Sequence, residues 1–261
     1  MPAGSPDSRP SVQPGVPAGK PPADLVARAR SFRRSESGIA ALEFALVLPT
    51  FLFVLLSSAQ LIMYVNAVRR VELIAYSISQ MISQATPPAG QTIAKINATD
   101  LHFSFDSTLV LFPYVMADAY RRSMPWHQNI SINYAGIKFT PKSSSCPTGT
   151  DMSSCYNGNV VWTSTGTFQP AGGDNYRPCG QLQLPADDNA PPNRAYLPRS
   201  AYGPASLVVI DVVFNFRPTF GSGLVPAIRI ARSAYVLPRY ATLVDYDLTN
   251  NDGIAVKCLG M

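Results

Sequence analysis

The sequence predicts an α+β protein: a long N-terminal transmembrane helix extends into an amphipathic stalk and is followed by a mostly antiparallel β exported domain. Three observations predict it. Residues 44–68 carry no charge. The turns that follow keep an apolar stripe at helical spacing, and beyond Pro125 the pattern changes to alternation broken by turn residues. The expected organisation is a leader over 1–38, a transmembrane and stalk helix over 39–85, and the exported domain over 86–261.

The leader holds seven prolines between Pro2 and Pro22, interleaved with Gly, Ala and Ser, so it has little to bury and is expected to stay disordered. Lys20, Arg28, Arg30, Arg33 and Arg34 precede the apolar segment, whereas only Arg69 and Arg70 follow it closely. That imbalance puts the N-terminus in the cytoplasm and the C-terminal domain across the lipid bilayer. The uncharged stretch spans roughly 37 Å at about 1.5 Å per residue, against a hydrocarbon core of roughly 30 Å, so it can cross with tilt. A cleaved secretory signal is the competing reading. Its apolar core would be about 7 to 15 residues long and end at a small-residue site, and "SSAQ" at 57–60 is a poor, internal substitute. Pro49 lies inside the helix, removes one backbone donor and is expected to kink it.

Val71, Ile74, Ala75, Ile78, Met81 and Ile82 recur at spacings of three and four, the mark of one apolar stripe. It can pack on the chain's own domain or on a neighbouring subunit. "TPPAG" at 86–90 ends it. A second helix is expected within 107–123, shortened or kinked by Pro113. Strands are expected at 129–139, 160–167, 207–216 and 228–237. Residues 169–204, dense in Pro, Gly, Asn and Asp, read as a long loop.

All four cysteines, Cys146, Cys155, Cys179 and Cys258, follow the apolar segment. An even count on one side fits two disulfides in an oxidising compartment, with three possible connectivities. A local Cys146–Cys155 pair with Cys179–Cys258 is the first choice, because "CPTGTDMSSC" is a Pro/Gly/Ser loop. Zinc competes, but there is no CxxC spacing and His102 and His127 are not set as a metal-binding pair. No metal or other cofactor is expected. Nor is an enzyme: GxSxG, HExxH and a phosphate-binding glycine loop are all missing, and both histidines stand isolated. "DYDLTNNDG" at 245–253 lacks EF-hand ligand spacing and reads as a solvated turn. Asp187 and Asp188 fall in a loop with no acid–base geometry. The net charge of +5 owes much to the arginines before residue 35, and no aromatic–basic alternation follows them, so nucleic acid is not an expected partner.

Glu43 stands at the head of the apolar helix, where a carboxylate near hydrocarbon costs several kcal/mol unless it is paired or neutralised. It could also sit at the interface and reach headgroups at little cost. "SGIAALEF", from Ser37 to Phe44, offers a reason for it. A basic leader, a glycine, four mostly apolar residues, then Glu and an aromatic resembles the type IV prepilin cleavage motif. The continuation "EFALVLP" is similar to TadE-like minor pilins or pseudopilins of Flp (tight-adherence) pilus systems. "LVVIDVVFNFRPTF" at 207–220 and "ARSAYVLPR" at 231–239 resemble their late strands less specifically. The resemblance implies a prepilin peptidase that cuts after Gly38, a new N-terminus at Ile39, and Glu43 and Phe44 as the pairing and register positions. It further implies a single-pass protein of the bacterial inner membrane with a periplasmic domain, and other pilins and pilus assembly components as partners. Cleavage would leave a cationic amine about one helical turn from Glu43, in the same subunit or a neighbour. The alternative is an uncleaved membrane-anchored periplasmic adaptor or adhesin.

Overall fold

The computed structural model describes residues 36–143, 146–147, 151–167, 176–220, 223 and 225–260. They divide into two compact units, Met1–Ser57 and Ser58–Met261. Most of the expected leader, residues 1–35, lies outside the described residues.

In the first unit the backbone is helical from Glu36, the start of α1 (Glu36–Ser83). Leu42, Phe44, Leu46, Phe51 and Phe53 are all exposed. Apolar side chains bare on every face of a helix suit a lipid solvent and would be unfavourable in water. By length and composition this is a helix able to cross a membrane. Pro49 sits inside it without interrupting it, so the expected kink does not break the helix. Proline deprives only the carbonyl four residues earlier of its bond, and the ladder resumes on either side.

The second unit begins within the same helix. Ala67, Val71, Ile74, Ala75, Ile78 and Ile82 are buried, which assigns the stalk stripe to the chain's own core. Met81, expected in that stripe, is exposed instead. Strand β1 (Ile93–Ile96) follows, then helix α2 (Ala98–Leu111). Asn97 caps α2 in a reciprocal box: its side chain accepts from the Asp100 N–H at 3.2 Å, and Asp100 accepts from the Asn97 N–H at 2.9 Å. The helix therefore starts well before the expected 107. Pro113 separates it from α3 (Tyr114–Arg121), so the expected single helix is two.

Five strands form an antiparallel sheet in the order β7-β6-β2-β3-β9: β2 (Ile130–Pro141), β3 (Tyr156–Ser164), β6 (Leu207–Phe216), β7 (Ile228–Val236) and β9 (Ala255–Lys257). A short helix, α4 (Met152–Cys155), leads into β3. Two parallel pairs complete the β structure: β1 with β8 (Leu243–Tyr246), and β4 (Leu184–Ala186) with β5 (Tyr196–Pro198). The second unit is thus α+β and mostly antiparallel.

Strand β6 is buried at nearly every position because the sheet is covered twice. Val208, Ile210, Val212, Phe214 and Phe216 join the stalk stripe, Ile96, Leu101 and Tyr134 in the main core. Leu207 and Val209 face the other way, with Ile137, Phe139, Leu197 and Tyr202. Each large aliphatic side chain buried this way contributes about 1.5–3 kcal/mol. The cover on that second face comes from the region expected to be a long loop. Residues 169–175 of it lie outside the described residues, but β4, β5 and Arg177 are ordered on the sheet. Arg177 is fully buried, and its Nε donates to Asp211 Oδ2 at 2.9 Å while Nη1 donates to Gln183 Oε1 at 2.7 Å. Burial opposes its charge, yet the Asp211 carboxylate beside it holds the guanidinium above its ordinary value.

Cys146 is bonded to Cys155, with Cα atoms 5.7 Å apart, and Cys179 to Cys258, at 5.2 Å. The second joins the covering segment to the C-terminal strand across 79 residues of sequence, so it removes much loop entropy from the unfolded chain.

Gly136 shows how tightly the layers meet. It lies at a register shift between β2 and β3, and a Cβ there would overlap the Trp162 indole. That ring is held by its own bond, Nε1 to the Val244 carbonyl at 2.8 Å, and by stacking on Tyr246. Gly136→Ala should therefore cost about 1–3 kcal/mol through overpacking. Gly203→Ala, where a Cβ meets open space, should stay within about 0.5 kcal/mol. Denaturation of the full chain in detergent, followed by tryptophan fluorescence, measures both.

Candidate functional site

The first turns of α1 carry the residues that the sequence singles out. Gly38 and Ile39 lie in helical backbone, since α1 begins at Glu36. The Gly38–Ile39 bond is therefore not extended, and glycine at this point weakens the helix by about 1 kcal/mol relative to alanine. Glu43 follows Ile39 by four residues, roughly 6 Å along the axis at 1.5 Å per residue, on the same face. Its side chain is exposed, as is that of Phe44, and no ion pair joins Glu43 to another described residue.

The rest of α1 limits how much helix is left for a bilayer. The uncharged stretch is not free over its whole length, because its last turns belong to the domain. The Gln60 Oε1 accepts the Thr219 N–H at 3.1 Å, and Tyr64 meets the Phe216 ring edge-on at 5.7 Å. Met63 and Val68 pack on the core, and Ala67 is inside it. The part of α1 before Gln60, residues 37–59, supplies roughly 35 Å of helix, enough for one hydrocarbon thickness. Glu43 is the one charged residue in it. A lone carboxylate there needs a counter-charge.

Arg70, just after the uncharged stretch, donates from Nη1 to the Leu111 carbonyl at 3.1 Å and so ties α1 to the end of α2. Nearby, Tyr114 accepts from Arg121 Nη2 at 2.7 Å. Burial pushes the Tyr114 hydroxyl above its ordinary value, against the pull of the Arg121 charge.

His102 is not isolated, contrary to expectation. Its Nε2 lies 2.6 Å from Asp252 Oδ2, a residue of the 245–253 turn 150 positions away. Partial desolvation works against the Asp252 charge, but the bonds from His102 and from the Ile254 N–H hold its carboxyl below the usual range. The other polar groups of that turn are also engaged. Asp247 accepts from the Thr249 N–H at 2.9 Å, Asn251 from the Gly253 N–H at 3.0 Å, and Asp245 meets Lys257 at 2.6 Å. They stabilise the turn and the strands beside it. Among the described residues, no group of three or more His, Cys, Asp or Glu could share a metal ion.

Sequence reading missed the Arg177–Asp211 pair and the Gln60–Thr219 bond. Asp211 could have been flagged, because a carboxylate inside "LVVIDVVF" demands a buried cation. Nothing in the sequence points to Arg177 as that cation, or to Gln60 as a docking residue.

No curated protein and no solved structure matches the chain significantly. The family model described as TadE-like protein does match, over residues 38–78, a range that opens at Gly38, takes in Glu43 and the span, and ends at the buried Ile78. From Gly38 to Ile78 the N-terminal helix of this chain is thus similar to TadE-like proteins.

Proposed function

We propose that the chain is a minor pilin or pseudopilin of a Flp-type (tight-adherence) pilus system, held in the inner membrane by α1 with its domain in the periplasm. A prepilin peptidase cuts between Gly38 and Ile39, and the processed helix docks with other pilins and assembly components. The role is structural, not catalytic. The observation that supports this reading is the position of Glu43, four residues after Ile39 in one helix and within the residues that the TadE-like family model matches.

A carboxylate in that setting gains from the α-amine that cutting would create, whose positive charge also lies at the end of the helix dipole it shares. Where the amine of one subunit meets Glu43 of the next, the pair sets the axial register between apolar helices that otherwise slide freely. Both disulfides and the arginine bias across the span agree with an exported domain and a cytoplasmic leader.

The helical backbone across Gly38–Ile39 favours a second reading, an uncleaved membrane-anchored adaptor or adhesin, because a helix presents its peptide bonds poorly to a protease. The mature N-terminus separates the two. Terminal sequencing or intact mass of the protein from cells that contain a prepilin peptidase should begin at Ile39, and the precursor should accumulate when the peptidase is deleted. A chain that begins at Met1 or Pro2 in both strains supports the uncleaved anchor.

Glu43→Ala should leave membrane insertion intact but lower pilus assembly by at least about tenfold, since stranding one partner of a desolvated ion pair costs about 3–5 kcal/mol. Counting pili and capturing pilin partners measures this, and normal piliation by the variant sinks the register role.

A further inference from the structure

The domain has one end at which α1 enters it. Residues 217–219 follow β6, and Thr219 is bonded through its N–H to Gln60, where the domain first takes hold of α1. The opposite end of the packed helix is fixed by the Arg239 N–H on the Ser83 carbonyl at 2.9 Å. Strand β6 runs from that far end to the near one, because Ser206 before it bonds the Thr242 carbonyl and Phe216 at its end meets Tyr64.

At the near end, α3 joins the same surface. Arg121 Nη1 donates to Thr219 Oγ1 at 2.8 Å. An open cleft there is lined by Arg121, Arg122, Arg217 and Asp118, three guanidiniums against one carboxylate. Asp118 is buried and committed to its neighbours, accepting from Arg121 and from Asn129 Nδ2 at 3.1 Å. Arg217 is exposed, with no hydrogen bond or ion pair to another described residue. Beside these cations stand exposed aromatic rings, Phe220 at 54% and Tyr120 at 88%. Exposed cations among exposed aromatics are poorly suited to water alone and well suited to the headgroup layer, where aromatic rings and arginines anchor proteins. On α1 itself, Leu61 and Ile62 are also exposed at this level.

We propose that the end of β6 and the end of α3 form a membrane-contact surface for anionic phospholipid. Arg217 and Arg121 meet the headgroup phosphates, while Phe220 and Tyr120 enter the interfacial layer. The surface is continuous in sequence with the span and complementary in charge to such lipid. It would give the domain a second contact with the lipid besides the helix. The proposal rests on residues 40–59 crossing the membrane.

The test uses the full chain in nanodiscs whose lipids carry bromine on their acyl chains. The indole introduced by Phe220→Trp should be quenched in phosphatidylglycerol discs, over the background from Trp126 and Trp162. With Arg217→Gln added, the ratio of quenched to unquenched indole should fall about fivefold, the share of one arginine at an anionic surface, and in phosphatidylcholine discs, where Arg121 loses its attraction too, about 25-fold. Because Arg217 bonds no other described residue, its substitution should leave the thermal unfolding unchanged, which guards against a folding artefact. A chain that stays in the discs with an unquenched indole, or with quenching indifferent to lipid charge, overturns the contact while the anchor stands. A chain that the discs fail to retain overturns both.

Discussion

One helix serves two solvents in this protein, and the burial of its second half ties them together. Ala67, Val71, Ile74, Ile78 and Ile82 form the floor on which the sheet of the second unit is laid. Together with Leu101 and Phe105 of α2 and Phe112 and Val115 around α3 they cover the apolar face of β6 and β2, and losing them would expose part of that face to water. The same helix is apolar and exposed before Ser58, as suits a membrane anchor.

That economy has a consequence for the membrane. The domain claims the helix from Gln60 onward, so roughly 35 Å of largely apolar helix precedes it, enough for one hydrocarbon layer. Glu43 is the one charge before that point in the helix, and no ion pair joins it to another described residue. A carboxylate among apolar residues gains from a counter-charge.

The other side of the sheet follows a different rule. Its cover is thin, two short parallel strands and a buried guanidinium, and it is fastened by Arg177 to Asp211 and by the Cys179–Cys258 bond. A buried pair of this kind gives little net stability over an apolar substitute, but losing one partner leaves a stranded charge. It therefore specifies where the segment lies more than how tightly. The helix stripe, the four long strands and the turn at Pro113 were legible in the sequence because period and punctuation are local signals. The start of α2 was read late, although Asn97 and Asp100 spell a capping box, because the apolar pattern near it is weak. Four of the short strands, β1, β4, β5 and β8, were not legible at all. Each has only three or four residues and exists because a partner far along the chain is at hand, as Ile93–Ile96 pairs with Leu243–Tyr246. The motif at Gly38–Phe44 was readable as chemistry, whereas the contact of Gln60 with Thr219 depends on tertiary packing that no local pattern encodes.

The central claim is that the stalk half of α1 is part of the domain core. Hydrogen exchange on the full chain in nanodiscs, read by mass spectrometry over residues 66–82 and over β6, tests it directly, since amides in one cooperative unit open together. The account predicts that both segments exchange with the same opening free energy, and that Gly136→Ala lowers the two by the same amount. Exchange of residues 66–82 at a faster rate of its own, with β6 still protected, would contradict it.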